Sequence, residues 1–371
     1  MSRREASIKD VAARAGVSTA TVSNVLNGTK PVSTAVARKV RKAADELGYR
    51  INRAASQLRS GKNRVVAVIV PDLSDPFFTS IITELEGLTR PGSYEIIVAN
   101  SNDDTQIEQG RLDALMAWRP AAMVIIPCTD TLPPHVREER AEVPIVLADR
   151  VAETGVVDTV LIDNEDAGKI AARYLTDIGH RDVLLAPSDL NLVAIRQRCK
   201  GAESAIRRVG GRVRCVELGS EPHKGAKTLT HWLERNDPPT AIIAMTDITT
   251  LGVLKSMAQR KIDIPNQISI VGFDDYPWMS ARRTAITAVR QPIVEIAHAI
   301  WERLEARMNG DDQPPQTIVL ECSLKVRDSA QPIPGGKPSE DRPRYSMEGP
   351  GAVETEKESA SRRRTKGGTI H

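Results

Sequence analysis

Aromatic side chains are scarce: the 371-residue chain has three Phe, four Trp and five Tyr, 3% in all. The core must therefore be built from Ala, Val, Ile and Leu, within a hydrophobic fraction of 40%. No apolar run approaches the roughly 20 residues that a membrane-spanning helix needs, so no membrane partner is expected. The opening Met1-Ser2-Arg3-Arg4-Glu5 lacks the apolar stretch of an export signal. Cys128, Cys199, Cys215 and Cys322 are scattered and form no Cys-x-x-Cys pair. Buried free thiols are expected from them, in preference to disulfides or a zinc site. The six His, among them His180, His223 and His298, show no metal-ligand spacing. Also missing are G-x-x-x-x-G-K-S/T, G-x-S-x-G and H-E-x-x-H, the signatures of a phosphate loop, a nucleophile elbow and a zinc protease. A cytoplasmic, nucleoid-associated protein is expected, not an enzyme, with no metal and no cofactor.

What is present begins at the N-terminus. Ser7 with Asp10 three residues on has the spacing of a capping box, and Ile8, Val11, Ala12 and Ala15 then form one apolar stripe. Gly16 breaks this helix and Val17 fills the corner. Ser18 can cap a second helix that buries Val22, Val25 and Leu26 and shows Thr19, Ala20, Ser23 and Asn24 on its other side. Two short helices with a tight turn have the layout of a helix-turn-helix, the second helix being the reader. A third helix follows, with Ser33 as its expected cap and Val36, Val40, Ala43 and Leu47 as its buried face, ending at Gly48-Tyr49. Spacing alone also fits a small three-helix bundle with a solvated basic face.

Charge separates the two readings. Residues 1–64 hold fourteen Lys and Arg against four acids, a net +10, while the whole chain is +3. The remainder is therefore −7. A basic head on an acidic body attracts phosphate, and its binding should weaken steeply with salt. In the reading helix, Thr19, Ala20 and Asn24 are the base-reading candidates. Asn24 can pair bidentately with adenine, and Ala20 and the Thr19 methyl can meet a thymine methyl. Ser7, Ser18, Thr21, Ser23 and Asn27 are better placed for phosphates or caps.

Residues 51–63 are too few for a stable isolated helix, although Asn52 could cap one in which Ala54, Ala55 and Leu58 share a face. The plainer alternative is an ordinary basic linker. Beyond residue 64, apolar runs at 65–70, 95–99, 123–126, 144–148 and 160–162 alternate with amphipathic stretches such as 78–88 and 105–118. A second series follows, with strands at 182–186, 212–218, 241–245 and 268–272 and helices at 165–178, 195–209, 225–235 and 249–261. Such alternation means doubly wound α/β sheets, and two series mean two lobes around a cleft. Residues 329–371, rich in Pro, Gly, Ser and charge, are expected to be a disordered tail. In parallel α/β sheets, ligands bind beyond the carboxyl ends of the strands. That rule selects Asp72 to Phe78, Asp149-Arg150, Thr246-Asp247 and Asp274-Asp275.

Ile8-Lys9-Asp10-Val11-Ala12, Gly16-Val17-Ser18, Thr21-Val22-Ser23, Val25-Leu26-Asn27 and Glu46-Leu47-Gly48-Tyr49 resemble the head of the lactose-repressor (LacI/GalR) family of bacterial transcription regulators. The resemblance runs from about residue 7 to residue 328. It implies a helix-turn-helix head over 1–50, a hinge helix over 51–63 and a periplasmic-binding-protein-like (type I) α/β body over 64–328. The N-lobe would comprise 64–162 and 292–321, the C-lobe 163–291 and 322–328. It implies that Ala55 and Leu58 meet DNA, Leu58 as a wedge in the minor groove at the operator centre. Ile51 stands where the family usually has Pro. The resemblance further implies an effector site at Phe77, Asp149, Arg150, Arg198, Asp247 and Asp274, taking a sugar or related polar metabolite. Residues 219–222 lack the large aromatic common in the family, and Ala121-Ala122 replaces a common Asp-Gly, which points away from a common hexose. The expected partners are double-stranded operator DNA, a small effector and a second copy of the chain. The rival reading, an exported sugar-binding receptor of a transporter, would share the body but needs an export signal and no basic head.

Overall fold

The computed structural model describes residues 6–27, 30–50, 63–130, 136 and 142–333. The chain divides into two units, Met1–Arg64 and Val65–His371. In the first, α1 (Ile8–Ala15) starts with a capping box: Ser7 Oγ accepts the Asp10 N–H, and the Asp10 carboxylate accepts the Ser7 N–H at 2.8 Å. Gly16 ends α1 at φ 68°, a left-handed conformation that costs glycine little. α2 spans Thr19–Asn27, with Ser18 Oγ accepting the Thr21 N–H at 3.1 Å. α3 spans Thr34–Leu47 and stops at Gly48. Val11, Ala12, Val22, Val25, Val40, Ala43 and Ala44 form the core of this small bundle.

Two expectations for α3 are corrected. Ser33 precedes the helix but makes no side-chain cap bond. Leu47 is 37% exposed, and Ala44 is buried instead. The inward stripe runs through 40, 43 and 44, and Tyr49, not Leu47, packs where the chain turns back.

The second unit contains two six-stranded sheets. Its first lobe runs β1 (Val65–Val70), α4 (Pro76–Thr89), β2 (Glu95–Asn100), α5 (Thr105–Met116), β3 (Ala122–Ile125), β4 (Ile145–Ala148) and β5 (Asp158–Ile162). The second runs α6 (Asn164–Asp177), β6 (Asp182–Ala186), α7 (Val193–Arg208), β7 (Arg212–Cys215), α8 (Pro222–Arg235), β8 (Ala241–Ala244), α9 (Asp247–Arg260), β9 (Ser269–Phe273), α10 (Pro277–Ser280) and β10 (Thr287–Arg290). The chain then returns through α11 (Ile293–Met308) and β11 (Thr317–Leu320), and crosses again to β12 (Ser323–Lys325). The first sheet, ordered β11-β5-β4-β3-β1-β2, is wholly parallel. The second, β12-β10-β9-β8-β6-β7, is parallel except for β12 against β10.

The periodic reading missed β10, β11, β12 and α11. α11 covers the first sheet with Ile296, Ala297, Ile300, Trp301 and Leu304. It also holds the start of β5, where buried Asp158 accepts from Arg307 Nε at 2.7 Å, from Arg303 Nη2 at 3.2 Å and from the Gln316 N–H at 2.7 Å. The expected tail begins too early. Ser329 is fully buried, donating Oγ to Ile270 O at 2.7 Å and accepting the Thr287 N–H at 2.8 Å. The Ile333 N–H reaches Ile178 O at 3.1 Å. Residues 329–333 thus belong to the second lobe, because the polar reading could not see a serine placed to bridge β9 and β10. The thiols are not uniformly buried either: Cys128 is, Cys199 and Cys322 are half-buried, and Cys215, ending an edge strand, is exposed. Among the described residues no helix is long and apolar enough to cross a membrane.

Candidate functional site

In the head, Thr19 and Ala20 are exposed at the start of α2, and Asn24 lies half-buried just over a turn later. Ser18 Oγ and Thr21 Oγ1 share a hydrogen bond of 2.9 Å, and Ser7 Oγ donates to Asp10 at 2.6 Å. The serines Ser7 and Ser18 therefore stand at two helix N-termini, where backbone N–H groups favour anions. Ser23 is half-buried. The side chain of Asn27, and Ala55 and Leu58 altogether, lie outside the described residues. Arg38, Lys39, Arg41 and Lys42 are exposed on α3.

In the second unit, all six body residues chosen from the sequence line one cleft between the lobes, enclosing about 740 Å³ including its open mouth. All but Arg198, which lies in the second turn of α7, come from the carboxyl end of a strand or the start of the next helix. Asp149 follows β4 and Asp274 follows β9, both in left-handed backbone at φ 62° and 78°. Asp tolerates this region better than most residues, yet at some strain, and such positions cluster at binding sites. Asp75 caps α4, accepting the Phe77 N–H at 2.8 Å. Phe77 packs edge-on to Phe78 at 5.4 Å. Arg150 lies over the Phe78 ring at 5.5 Å and pairs with Asp103.

Arg198, on α7, is held on three sides. Nε donates to Asn164 Oδ1 at 2.8 Å, Nη1 to Met245 O at 2.7 Å, and the guanidinium stacks 4.0 Å over Phe273. Its helix presses directly on α6: a Cβ on Gly168 would come within 1.9 Å of Arg198 O, and one on Gly201 within 1.9 Å of Glu165 O. Asp247 opens α9 and gives its N–H to Asp274 Oδ2 at 3.0 Å, while Gln291 Nε2 gives to Asp274 Oδ1 at 2.5 Å. Asp130, beyond β3, reaches across to α7, accepting the Val193 N–H at 2.8 Å and Arg196 Nη2 at 2.8 Å.

The acids strain against one another. Burial, then Asp274 and Asp149, push Asp75 up to about 6, although the Phe77 N–H opposes this. Burial, then Asp274 and Asp75, push Asp247 up to about 8. Burial also raises Asp149 and Asp274, with Arg198 pulling both back. Among the described residues no group of three or more His, Cys, Asp or Glu could hold a metal ion.

The sequence reading missed Asp103, Asn164, Phe273, Gln291 and Asp130. The strand-end rule would have found Gln291 had β10 been read as a strand, since it follows Arg290 directly. Asn164 and Phe273 carry no local signal, because both act by holding Arg198.

Residues 7–52 match bacterial regulatory proteins of the lacI family, and residues 172–330 match a periplasmic binding protein-like domain. The chain is 30% identical over 334 residues to the HTH-type transcriptional repressor CytR of Escherichia coli (strain K12), covering 89% of this chain and 97% of that protein. It is 31% identical over 329 residues to catabolite control protein A of Priestia megaterium, covering 87% and 99%. Its fold matches the lac repressor dimer bound to operator and the anti-inducer ONPF with a TM-score of 0.77, at 22% identity over 88% of this chain and 100% of that one. A capped helix pair with a basic third helix, a two-lobed body and relatives matched over nearly their whole length lead to one assignment: the chain belongs to the lacI family of bacterial regulatory proteins and is a DNA-binding transcriptional regulator.

Proposed function

We propose that this regulator is a repressor that works as a homodimer, and that a small polar effector bound between its lobes sets its affinity for an operator. The observation that carries the reading is the cleft: four carboxylates and a triply held Arg198 converge there, on the same chain as a basic helix-turn-helix head. Thr19, Ala20 and Asn24 read bases, while Ser7, Ser18, Thr21, Ser23 and Asn27 meet phosphates or cap helices. Residues 51–63 form the hinge, with Ala55 and Leu58 against the minor groove. Residues 64–328 bind the effector and the second copy. Phe77, Asp149, Arg150, Arg198, Asp247 and Asp274 line the effector site. Effector binding changes the lobe angle and hence the spacing of the hinges, a coupling of about 1–3 kcal/mol. The protein catalyses no reaction and works in the bacterial cytoplasm, where its DNA is.

The test is an operator selected from a random duplex library with the full chain, followed by a thermal-shift screen of sugars, sugar acids and nucleobases. A compound that stabilises the chain should change operator retention in gel shifts. Stabilising compounds that leave operator binding unaltered would count against the coupling.

A further inference from the structure

Acids outnumber bases in the cleft. Asp75 and Asp149 enter from the first lobe, Asp247 and Asp274 from the second, with Asp72 and Asp103 at the same surface. Among the described residues two cations line it, Arg150 and Arg198. Arg150 faces Asp75 and Asp149 but already pairs with Asp103. Arg198 faces Asp149 and Asp274, with Nε and Nη1 bonded to Asn164 and Met245. Among the described lining residues, six carboxylates against two guanidiniums leave a formal excess of four negative charges.

The imbalance extends to a neutral group. Gln291 is buried in the cleft wall, gives Nε2 to Asp274, and leaves Oε1 with no hydrogen-bond partner. A buried acceptor left open costs free energy until a donor arrives. The described lining therefore offers more carboxylate oxygens than cationic donors, with Ser188, Ser220 and Thr246 as its hydroxyls.

Resting on the reading of this cleft as the effector site, we propose that its ligand is a cation: a small polyhydroxylated amine, charged at neutral pH, whose ammonium sits among Asp75, Asp247 and Asp274. Hydroxyls of a neutral sugar can donate to these carboxylates but bring no charge to offset their repulsion. An ammonium brings three donors and a compensating charge, and its bonds to carboxylates are the stronger kind. Without a cation, the acids relieve the repulsion by holding protons. Entry of the amine expels them, so binding releases protons and tightens as pH rises. An alkylammonium resembling that of lysine keeps its own charge throughout this range.

Calorimetry on the full chain tests this with two matched pairs, D-glucamine against D-sorbitol and 3-amino-1,2-propanediol against glycerol. At about pH 7.5 an amine should bind roughly tenfold or more tightly than its neutral partner, and at about pH 5.5 the gap should shrink. Heats measured in buffers of different ionisation enthalpy should report proton release. Asp247→Asn should narrow the gap, and so should Asp75→Asn, in which Asn can still cap the helix. A neutral member that binds as tightly as its amine overturns the inference and leaves the effector reading standing. Failure of both pairs to bind also overturns it, and the effector reading then stands or falls on its own operator experiment. Binding of the amine with no proton release would overturn it as well.

Discussion

Asp274 accepts the backbone N–H of Asp247 at 3.0 Å, tying the acid after β9 to the first residue of α9. The bond uses a donor that the helix itself leaves open, and the positive end of α9 favours a carboxylate there. Two acids are thus held as neighbours by backbone, and their repulsion cannot be relieved by simple rotation of Asp274. Arg198 is the cation that opposes the effect of burial on Asp274.

Arg198→Ala should therefore do two things. It should abolish the operator response to any compound that stabilises the parent chain. It should also destabilise the body by roughly 1–3 kcal/mol, because Asn164 Oδ1 and Met245 O lose buried partners. Urea denaturation and gel shifts with added effector read the two effects separately. An unchanged response at the same effector concentration would remove Arg198 from the site.

Asp158→Asn should cost about 3 kcal/mol, since Arg307 would be left with a neutral partner while Arg303 keeps Asp311 at 2.9 Å. Burial works against the Asp158 carboxylate, but its bonds from Arg307, the Gln316 N–H and Arg303 prevail and hold its pKa below the ordinary value. A group lowered in the folded state stabilises fully above its unfolded pKa, about 4, and loses that contribution as pH falls through the lower folded value. The difference between parent and variant in urea melts should thus be large at neutral pH and shrink only in strong acid.

A chain ending at residue 333 should match the full chain in stability, whereas one ending at 328 should not. The shorter chain loses three Ser329 bonds, the contact of His180 Nε2 with Gln331 O, and the Gln331 and Ile333 N–H bonds to Ser269 Oγ and Ile178 O. At roughly 1 kcal/mol for each bond, the loss should be about 6 kcal/mol by urea denaturation. Burial lowers His180 to about 4. Its neutral form therefore stabilises fully above the unfolded value near 6.5, and that share fades as pH falls from there towards the folded value.

Asn24→Ala should relax preference at one base pair per half-site, at about 1–3 kcal/mol, in selections from a random duplex library. An unchanged consensus would assign Asn24 to phosphate contact instead.

The head was legible because its signals are local: a Ser–Asp box, an αL glycine and one apolar stripe per helix. Leu47 was misread because a stripe ends where the chain turns, and only the fold shows that Tyr49 fills the place. Strand ends in the body were legible through burial, since β1, β3, β4, β6, β8 and β9 are nearly continuous apolar runs. β11 lies at an edge with Val319 exposed, and β12 is three residues long, so neither carries that signature. Asp149 and Asp274 could be chosen by rule. Their left-handed backbone, and the shared field of four acids, exist only once both lobes are assembled.

The glycine crossing of α6 and α7 has a mechanical consequence. With Gly168 under Arg198 O and Gly201 under Glu165 O, the two helices meet backbone to backbone and have no side-chain slack between them. The crossing lies beside a passage between the lobes: Asp163, which follows β5, caps α6 by accepting the Asp166 N–H at 2.8 Å. The helix that carries Arg198 is thus packed without clearance against the helix that opens at that passage.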